Sequence, residues 1–375
     1  MRDAIVQSTW DWGTFNVPER IALALADKGA RVLHSEYPVS RFRRAGRPLE
    51  EIRTGVHCFG PEYLGAKLSA APVIRNWQWR NVAEQLRSRA AESGLREPLF
   101  IYSHLEHMAP LCLDMKAHGF PLVHICMDYP EPYQYELMEI SDRTIVIPKA
   151  VYAKLQAKYG EKIRWIPQSI HIGKAGAPRS SEPPDFASIP HPRLGYLGPI
   201  QTRLNLALLT EVLSQRPGWQ FICFGGGEQL RLPNVHNMAW RSPEELAACV
   251  AAFDVAVMPY DCFVDRNLHC VPLKLFDYFL AGIPIVSTPV LAVAEFSNIV
   301  NLANTPDEFI RATEEALTEP PDSPKPELRV RAAHAHSTDA LGARLEEVLN
   351  FDGAAIPESV PDGRLRDGLA GATPD

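Results

Sequence analysis

Short β-rich apolar runs alternate with helical patterns along most of the chain, and this alternation limits the fold more than any other feature. Residues 4–8 form one run, a helical pattern begins after Pro18, and residues 30–34 begin a second run, so that together they make a βαβ unit. Similar runs, with helical patterns between them, follow at residues 99–102, 122–127, 144–147 and 163–166. Strands that alternate with helices in this way predict a parallel, doubly wound sheet.

The alternation starts again after a break in the middle of the chain. With 375 residues the chain is too long for one ordinary hydrophobic core. Residues 171–192 are rich in Pro, Gly, Ser and Ala and have no periodicity, which is typical of an interdomain linker. We predict an α/β protein with Rossmann-like domains at residues 1–170 and 193–335. A helix at 336–350 would follow, and residues 351–375 lack the apolar content to fold.

Composition and charge restrict the class of protein. Hydrophobic residues make up 46% of the chain and charged residues 22%, which is usual for a globular protein. The seven cysteines form no CxxC pair, and no stretch approaches the ~18 apolar residues of a membrane span, so we expect a cytoplasmic protein. The net charge is -7, and we expect no nucleic-acid partner.

The charge is unevenly distributed, and one cluster suggests a partner. Residues 1–164 hold 22 Lys and Arg against 19 Asp and Glu, whereas the remainder holds 16 against 26. The densest basic cluster contains four arginines around Phe42: Arg41, Arg43, Arg44 and Arg47. Such a cluster either lies against anionic lipid head groups, which would place the protein at the inner face of the membrane, or forms a solvated loop. Both interpretations stay open.

The segment after the strand at residues 255–258 carries the strongest signal for a ligand site. In doubly wound sheets ligands bind where the strands end, and here a long polar loop leads into a helix that begins near Pro272. The free N–H groups of that helix end suit a phosphate. Lys274 and Asp277 share one helix face, where they could bind a pyrophosphate and ribose hydroxyls or simply pair with each other.

The stretch PLKLFDYFLAGIPIVST is similar to the donor-binding signature P-x-K-x-x-E-Y-L-A-x-G-x-P-V-V of GT-B glycosyltransferases, as in family 4 and related bacterial polysaccharide enzymes. The resemblance extends to TWDWGTFNVPERIALALADKGARVLHSE, to VHICMDYPEPY and to the βαβ segment that begins LGYLGPIQTRLN. It implies a GT-B fold, in which two Rossmann-like domains face each other across a cleft. It also implies a nucleotide sugar, by family habit a UDP-sugar, as co-substrate, with no other cofactor and no metal.

Individual residues of the second domain take roles from this resemblance. Asp277 stands where the family has its ribose-binding Glu, and Lys274 where a Lys contacts phosphate. The family's Glu-x7-Glu pattern would place its first carboxylate at 269, where this chain has His269, a hydrogen-bond donor to the sugar or phosphate. Arg203 falls where relatives place a basic residue near the diphosphate; otherwise it is an exposed arginine at a helix start.

Two glycine-bearing loops complete the predicted donor site. Gly225 opens a glycine run after the strand at 220–224, which either allows close backbone approach to a ligand or merely makes a turn. From the first domain, the resemblance implies that Gly13 and Thr14 face the diphosphate across the cleft.

The first domain supplies the candidates for chemistry. Asp128 follows a strand and is our candidate base for the acceptor hydroxyl; the alternative is an Asp that caps the turn at Tyr129. His104, Glu106 and His107 follow another strand and resemble the cleft-lining His region of family 4, where they could contact the donor sugar or act as base. Their spacing also suits a metal, but no fourth ligand is evident, and we expect none.

These observations predict transfer of a hexosyl or glycuronosyl group from a nucleotide sugar to a glycan or lipid-linked acceptor in surface polysaccharide biosynthesis. Two alternatives stay open. A UDP-sugar epimerase has the same architecture and would release an altered sugar without an acceptor. A catalytically silent nucleotide-binding homologue is the other, since both Glu positions of the signature are substituted.

Overall fold

A computed structural model describes residues 1–14, 16–65, 71–103, 106–170, 172, 183–200, 203–225 and 230–350. His104, half of the predicted linker at 171–192 and the predicted tail at 351–375 therefore lie outside the described residues.

The first sheet has eight strands among the described residues, and the elements that matter for the site follow its inner strands. Its order is β10-β9-β8-β7-β1-β2-β5-β4, parallel except for the β4–β5 hairpin at one edge. Its strands are β1 (Ala4–Gln7), β2 (Val32–Ser35), β4 (Glu50–Arg53), β5 (Val56–Phe59), β7 (Leu99–Tyr102), β8 (Leu122–Cys126), β9 (Arg143–Val146) and β10 (Ile163–Trp165). A separate two-stranded pair joins β3 (Val39–Ser40) and β6 (Glu62–Tyr63).

Six helices cover the two faces of this sheet. They are α1 (Val17–Asp27), α2 (Pro72–Glu92), α3 (Ala109–Ala117), α4 (Pro132–Ile140), α5 (Lys149–Tyr159) and, from the far end of the chain, α13 (Thr338–Leu349). The side chain of Asn16 caps α1 by accepting a hydrogen bond from the Glu19 N–H. Leu341, Leu345 and other residues of α13 pack into the core that α1 forms with the sheet. The last helix therefore belongs to the N-terminal half of the molecule.

The second sheet has six strands, all parallel, in the order β13-β12-β11-β14-β15-β16. They are β11 (Arg193–Tyr196), β12 (Gln220–Phe224), β13 (Val235–Met238), β14 (Val255–Met258), β15 (Ile285–Ser287) and β16 (Asn301–Leu302). The helices are α6 (Leu206–Gln215), α7 (Pro243–Ala251), α8 (Asp265–Leu268), α9 (Leu273–Leu280), α10 (Leu291–Ala294), α11 (Pro306–Leu317) and α12 (Lys325–Ala335).

The chain crosses between the two halves twice, and the two crossings run side by side. The Ile170 N–H donates to the His336 carbonyl at 2.7 Å, and the Thr338 hydroxyl donates to the Ile170 carbonyl at 3.0 Å. Each half has its own buried core. The doubly wound α/β architecture expected from the sequence is confirmed.

Most of the observed strands and helices were predicted from the sequence, but several were not. The largest is α2, a 21-residue helix whose first turns expose apolar side chains instead of burying them. Its sequence therefore has little helical periodicity. The short strands β4, β5, β13 and β16 were not predicted either, and three of the four have polar or half-buried patterns that resemble loops.

Candidate donor and acceptor cleft

Helix α9 places the two candidate donor-binding residues on the cleft side of the C-terminal domain. Pro272 is the N-cap of α9, and Leu273 is its first helical residue. Leu275, Phe276 and Phe279 are buried in the core and fix the helix in orientation. The apolar face of α9 packs into the core, and the side chains of Lys274 and Asp277 face the cleft from the other side of the helix.

The Lys274 ammonium lies in a pocket of aromatic rings. Its Nζ is 3.8 Å from the centre of the Tyr196 ring and 5.8 Å from that of Tyr260, at cation–π distance. Gly198 has φ +139, and a Cβ at this position would lie 2.9 Å from Nζ, so glycine is needed here. Burial lowers the pKa of Lys274 to about 7. The ammonium points to the rings and makes no ion pair with Asp277 within 4 Å among the described residues.

A loop beside the lysine pocket contains Gly225. It has φ +97, and an added Cβ would lie 3.4 Å from Pro199, which follows Gly198. The ends of β11 and β12 therefore meet at this point, and the backbone at Gly225 is exposed. The close approach of Gly225 to a ligand stays a prediction.

Asp277 is accessible to water yet has protein atoms on most sides, as expected at the base of a cleft. This burial raises the pKa of its carboxyl to about 6, against the opposing charges of Arg20 and Lys274. Arg20 belongs to α1 of the N-terminal domain. The carboxylate of one domain is thus under the electrostatic influence of a cation from the other.

Arg20 was not among the predicted site residues. Its Nε donates to the Asn16 carbonyl at 3.2 Å, and Nη1 donates to the Ser169 carbonyl at the interdomain connection. The side chain is buried, and Nη2 has no hydrogen-bond partner in the described part of the chain. Burial lowers the pKa of Arg20 to about 10, and the charges of Asp277 and Glu19 act in the opposite direction.

Asp128, the candidate base, lies directly opposite the C-terminal domain. Its Oδ2 is 3.6 Å from Nη2 of Arg203, and both side chains are about one third exposed, at 39% and 35%. Arg203 is in turn held by its own carbonyl, which accepts hydrogen bonds from the Asp261 N–H and the Asn267 side chain. Since Asp128 follows β8 and Arg203 follows β11, the carboxyl ends of the two sheets face each other.

His269 also makes a contact between the domains. Its Nδ1 is 2.9 Å from the Asp265 carbonyl and its Nε2 is 3.0 Å from Nζ of Lys154, a residue of α5. The Tyr129 ring lies 4.9 Å from the imidazole. The sequence predicts a hydrogen-bond donor to the sugar or phosphate at this position, whereas here both ring nitrogens are engaged by protein groups.

The remaining candidates lie at the same edge of the first sheet without joining this cluster. The Gly13 N–H donates to the Glu19 carboxylate at 3.0 Å, and the Thr14 hydroxyl donates to the Asp11 carbonyl, so both are engaged locally. Glu106 and His107 are exposed and lie 3.4 Å apart. His104 is outside the described residues.

Neither a metal site nor a membrane-spanning helix is found among the described residues. No group of three His, Cys, Asp or Glu side chains in the described ranges is arranged to hold a metal ion. No helix among those residues is both long and apolar enough to cross a membrane.

Sequence reasoning missed Arg20, Lys154 and the two tyrosines around Lys274. Arg20 had a signal, because it is a charged residue in a helix whose residues 17–25 are otherwise mainly apolar. Tyr196 ends a strand, a position that favours the site edge. Lys154 had none: it is one of several lysines in a polar helix.

The C-terminal domain is similar to a known protein family. Residues 191–319, which contain Arg203, His269, Lys274 and Asp277, match the family described as glycosyl transferases group 1. This match covers 129 of the 375 residues, and we refer to the matched segment as the group 1 domain. Over 173 residues it is 27% identical to TuaH of Bacillus subtilis, named as a teichuronic acid biosynthesis glycosyltransferase. That match spans 43% of this chain and 43% of TuaH, less than half of either protein.

Solved structures extend the likeness from this domain to the whole chain. An Escherichia coli trehalose-6-phosphate structure with bound UDP-2-fluoro glucose superposes with a TM-score of 0.66 at 12% identity, covering 92% of this chain and 98% of that one. Sucrose-phosphate synthase from Thermosynechococcus elongatus gives 0.68 at 15% identity, with 93% and 98% covered. At such identities the likeness establishes the fold. The group 1 domain is therefore the second half of a GT-B fold, as the sequence resemblance implied.

Proposed function

We propose that the chain transfers a sugar from a nucleotide sugar, UDP-linked, to a glycan or lipid-linked saccharide in the synthesis of a surface polysaccharide. One observation carries the proposal. Lys274, Asp277 and Arg203 of the group 1 domain come together at one cleft, and Asp128 of the other domain lies 3.6 Å from Arg203. The name of TuaH and the UDP-sugar in the trehalose-6-phosphate structure support the choice of donor and pathway.

The C-terminal residues suit the leaving group. A diphosphate that departs from the sugar develops negative charge, which preorganised donors stabilise better than water does. The Lys274 ammonium, Arg203 and the N-terminal end of α9 would supply cations and a helix dipole. The Asp277 carboxylate would accept hydrogen bonds from ribose hydroxyls. No metal or other cofactor has a role in this proposal.

Asp128 would act on the acceptor. The acceptor oxygen attacks the anomeric carbon, the bond to the diphosphate oxygen breaks, and its electron pair leaves with UDP. The Asp128 carboxylate takes the acceptor proton, which is general base catalysis. Arg203 lies 3.6 Å from Asp128, so a diphosphate that binds Arg203 would draw this cation away and free the base.

We propose further that the N-terminal domain contacts a membrane. Phe42 is 73% exposed, and Val73, Ile74 and Trp77 of α2 are exposed by 81%, 38% and 53%. We name these four residues the N-domain apolar surface. Phe42 lies two residues after β3, and α2 follows β6, the partner of β3. Arg41 and Arg43 flank Phe42 and are exposed, as suits anionic lipid.

Thermal stabilisation by a panel of nucleoside diphosphates tests the donor. A ligand at ~100 times its dissociation constant stabilises the folded state by about 2.7 kcal/mol. We expect UDP to raise the melting temperature more than ADP, GDP or CDP. If no nucleotide raises it, the transferase proposal loses its basis.

Sedimentation with vesicles tests the membrane contact. We expect binding to phosphatidylcholine vesicles that contain phosphatidylglycerol, and loss of binding in the double variant F42S/W77S. Trp240, which is 63% exposed beyond β13, provides the matched control W240S. Equal binding of the double variant and the control would contradict a membrane role for the N-domain apolar surface.

A further inference from the structure

The contact between His269 and Lys154 brings a cation to the place where the resemblance expects a carboxylate. A carbonyl oxygen can only accept a hydrogen bond, so Nδ1 of His269 carries the proton that it donates to Asp265. Nε2 then has a free electron pair and accepts from the Lys154 ammonium at 3.0 Å. His269 is only 5% exposed, and its ring is fixed by these two bonds. The pair therefore has a net positive charge.

The charge of Lys154 is held in position but is not neutralised. Its Nζ lies 5.5 Å from the centre of the Tyr129 ring, which stabilises a cation without cancelling its charge. Among the described residues no carboxylate lies within 4 Å of this ammonium. Lys149, at the start of the same helix, is different, since it pairs with Glu295 of the other domain at 3.4 Å.

The pair lies beside the candidate base and close to the residues proposed for the diphosphate. Tyr129, which touches His269, directly follows the candidate base Asp128. Cys270, the neighbour of His269, is within electrostatic reach of Asp128, Arg203 and Lys274. Lys154 thus lies where base and donor would meet, on the opposite side of the cleft from Lys274. The proposed function assigns Lys274 and Arg203 of the C-terminal domain to the diphosphate, which leaves Lys154 for a further anion.

We infer that the donor is a nucleotide-linked acidic sugar, whose carboxylate binds the Lys154–His269 pair. This inference rests on the proposed function and narrows its donor to the glycuronosyl class. A carboxylate would receive a charge-assisted hydrogen bond from an ammonium that the histidine and the tyrosine already orient. A neutral hexose has a hydroxymethyl group at that carbon, so its binding would cover the ammonium without an opposite charge.

Affinities for three ligands test the inference by calorimetry: UDP, UDP-glucose and UDP-glucuronate. The wild-type protein should bind UDP-glucuronate at least about tenfold more tightly than UDP-glucose, the factor expected of one charge-assisted hydrogen bond. The variant K154M should lose this ratio, and the matched control K149M should keep it. Equal wild-type affinities, or a ratio that persists in K154M, would overturn the inference.

A second variant, H269E, tests the histidine of the pair. In H269E a carboxylate replaces the imidazole and pairs with Lys154, so the preference should disappear or reverse toward UDP-glucose. Retention of the wild-type preference in H269E would count against the pair as the determinant. UDP separates the two levels of the argument: if UDP itself does not bind, the proposed function fails, whereas UDP binding without discrimination between the sugars refutes only the acidic donor.

Discussion

The two sides of the cleft are built in different ways. On the C-terminal side, Lys274 and Asp277 come from one helix, and the lysine is enclosed by Tyr196 and Gly198 at the end of β11. On the N-terminal side, Arg20, Asp128 and Lys154 come singly from α1, from the loop after β8 and from α5. One side is a preformed pocket, and the other is a set of separate residues that meet it.

This difference suggests a division of roles. A preformed pocket with perturbed pKa values suits a constant group, such as the nucleoside diphosphate of the donor. Separate residues on different elements can change one at a time, which suits the parts of the substrates that vary, such as the transferred sugar and the acceptor. We therefore expect variants of Lys274 to change UDP affinity, and variants of Asp128 and Lys154 to change turnover or sugar selectivity.

The largest effect should come from Asp128→Asn. Removal of a general base slows proton transfer by about 10²–10⁴-fold, so release of UDP from the donor sugar should fall by that factor. UDP affinity should stay the same or rise slightly, because Arg203 loses a competing partner. The measurement is UDP release, followed together with UDP binding. If Glu106→Gln collapses turnover and D128N does not, the base is Glu106.

Lys274→Ala should have the next largest effect, on binding. A hydrogen bond to a charged group is worth about 1.5–3 kcal/mol, so UDP affinity should fall by roughly 10- to 100-fold. Arg311→Ala removes an exposed cation from α11 of the same domain and should leave affinity unchanged. Titration calorimetry measures both. Wild-type affinity in K274A would remove the lysine pocket from the donor site and with it the contrast between the two sides.

The sequence reveals which residues of the C-terminal side lie together more readily than it does for the N-terminal side, and the reason is physical. Lys274 and Asp277 are neighbours in one helix, so their spacing alone places them together. Lys154 and His269 are 115 positions apart and meet only because the domains fold against each other. Asp128 could be predicted because it ends a strand, where a parallel sheet exposes its loops. Nothing local distinguishes Lys154 from the other lysines of α5.

Most of the fold was predictable for a similar reason, and helix α2 is the largest of the elements that were not. Buried strands of a parallel sheet are continuous apolar runs, and β1, β7, β8 and β14 all follow this pattern. Helix α2 does not bury the apolar residues of its first turns, so periodicity could not identify it. The same exposed residues form most of the N-domain apolar surface. The element that sequence patterns failed to predict is thus one to which we assign a partner.

The affinity for UDP should fall at both low and high pH, by about tenfold per pH unit on each limb, and a pH titration of binding measures this. Asp277, with its pKa raised to about 6, must be ionised to accept ribose hydroxyls, so affinity falls as the pH drops below that value. Lys274, with its pKa lowered to about 7, must be protonated to bind phosphate, so affinity falls as the pH rises above it. The two groups interact, so the limbs report apparent values of the pair.

Calorimetry in two buffers of different ionisation enthalpy provides the control. At pH 8 binding should take up a proton, since the diphosphate restores the charge of Lys274. Lys274→Arg should abolish both this uptake and the alkaline limb, because an arginine stays charged. Proton uptake that persists in this variant would assign the alkaline limb to another group.

The smallest effect should come from Arg20→Gln, and it tests whether the two sides are independent before any ligand binds. The Arg20 charge lowers the pKa of Asp277, which lies in the other domain. Without it the carboxyl should protonate at higher pH, the acidic limb should move upward, and UDP affinity at pH 6 should fall by about threefold.

Arg20→Lys keeps the charge and should hold the limb in place. Melting curves would confirm that both variants are folded, since the guanidinium also donates to the carbonyls of Asn16 and Ser169. If the limb does not move in Arg20→Gln, the C-terminal pocket sets its own protonation, and the N-terminal residues act only on the sugar and the acceptor. If it moves, Arg20 of the N-terminal side helps to bind the nucleotide through its charge, and the two sides are separate in their contacts but not in their electrostatics.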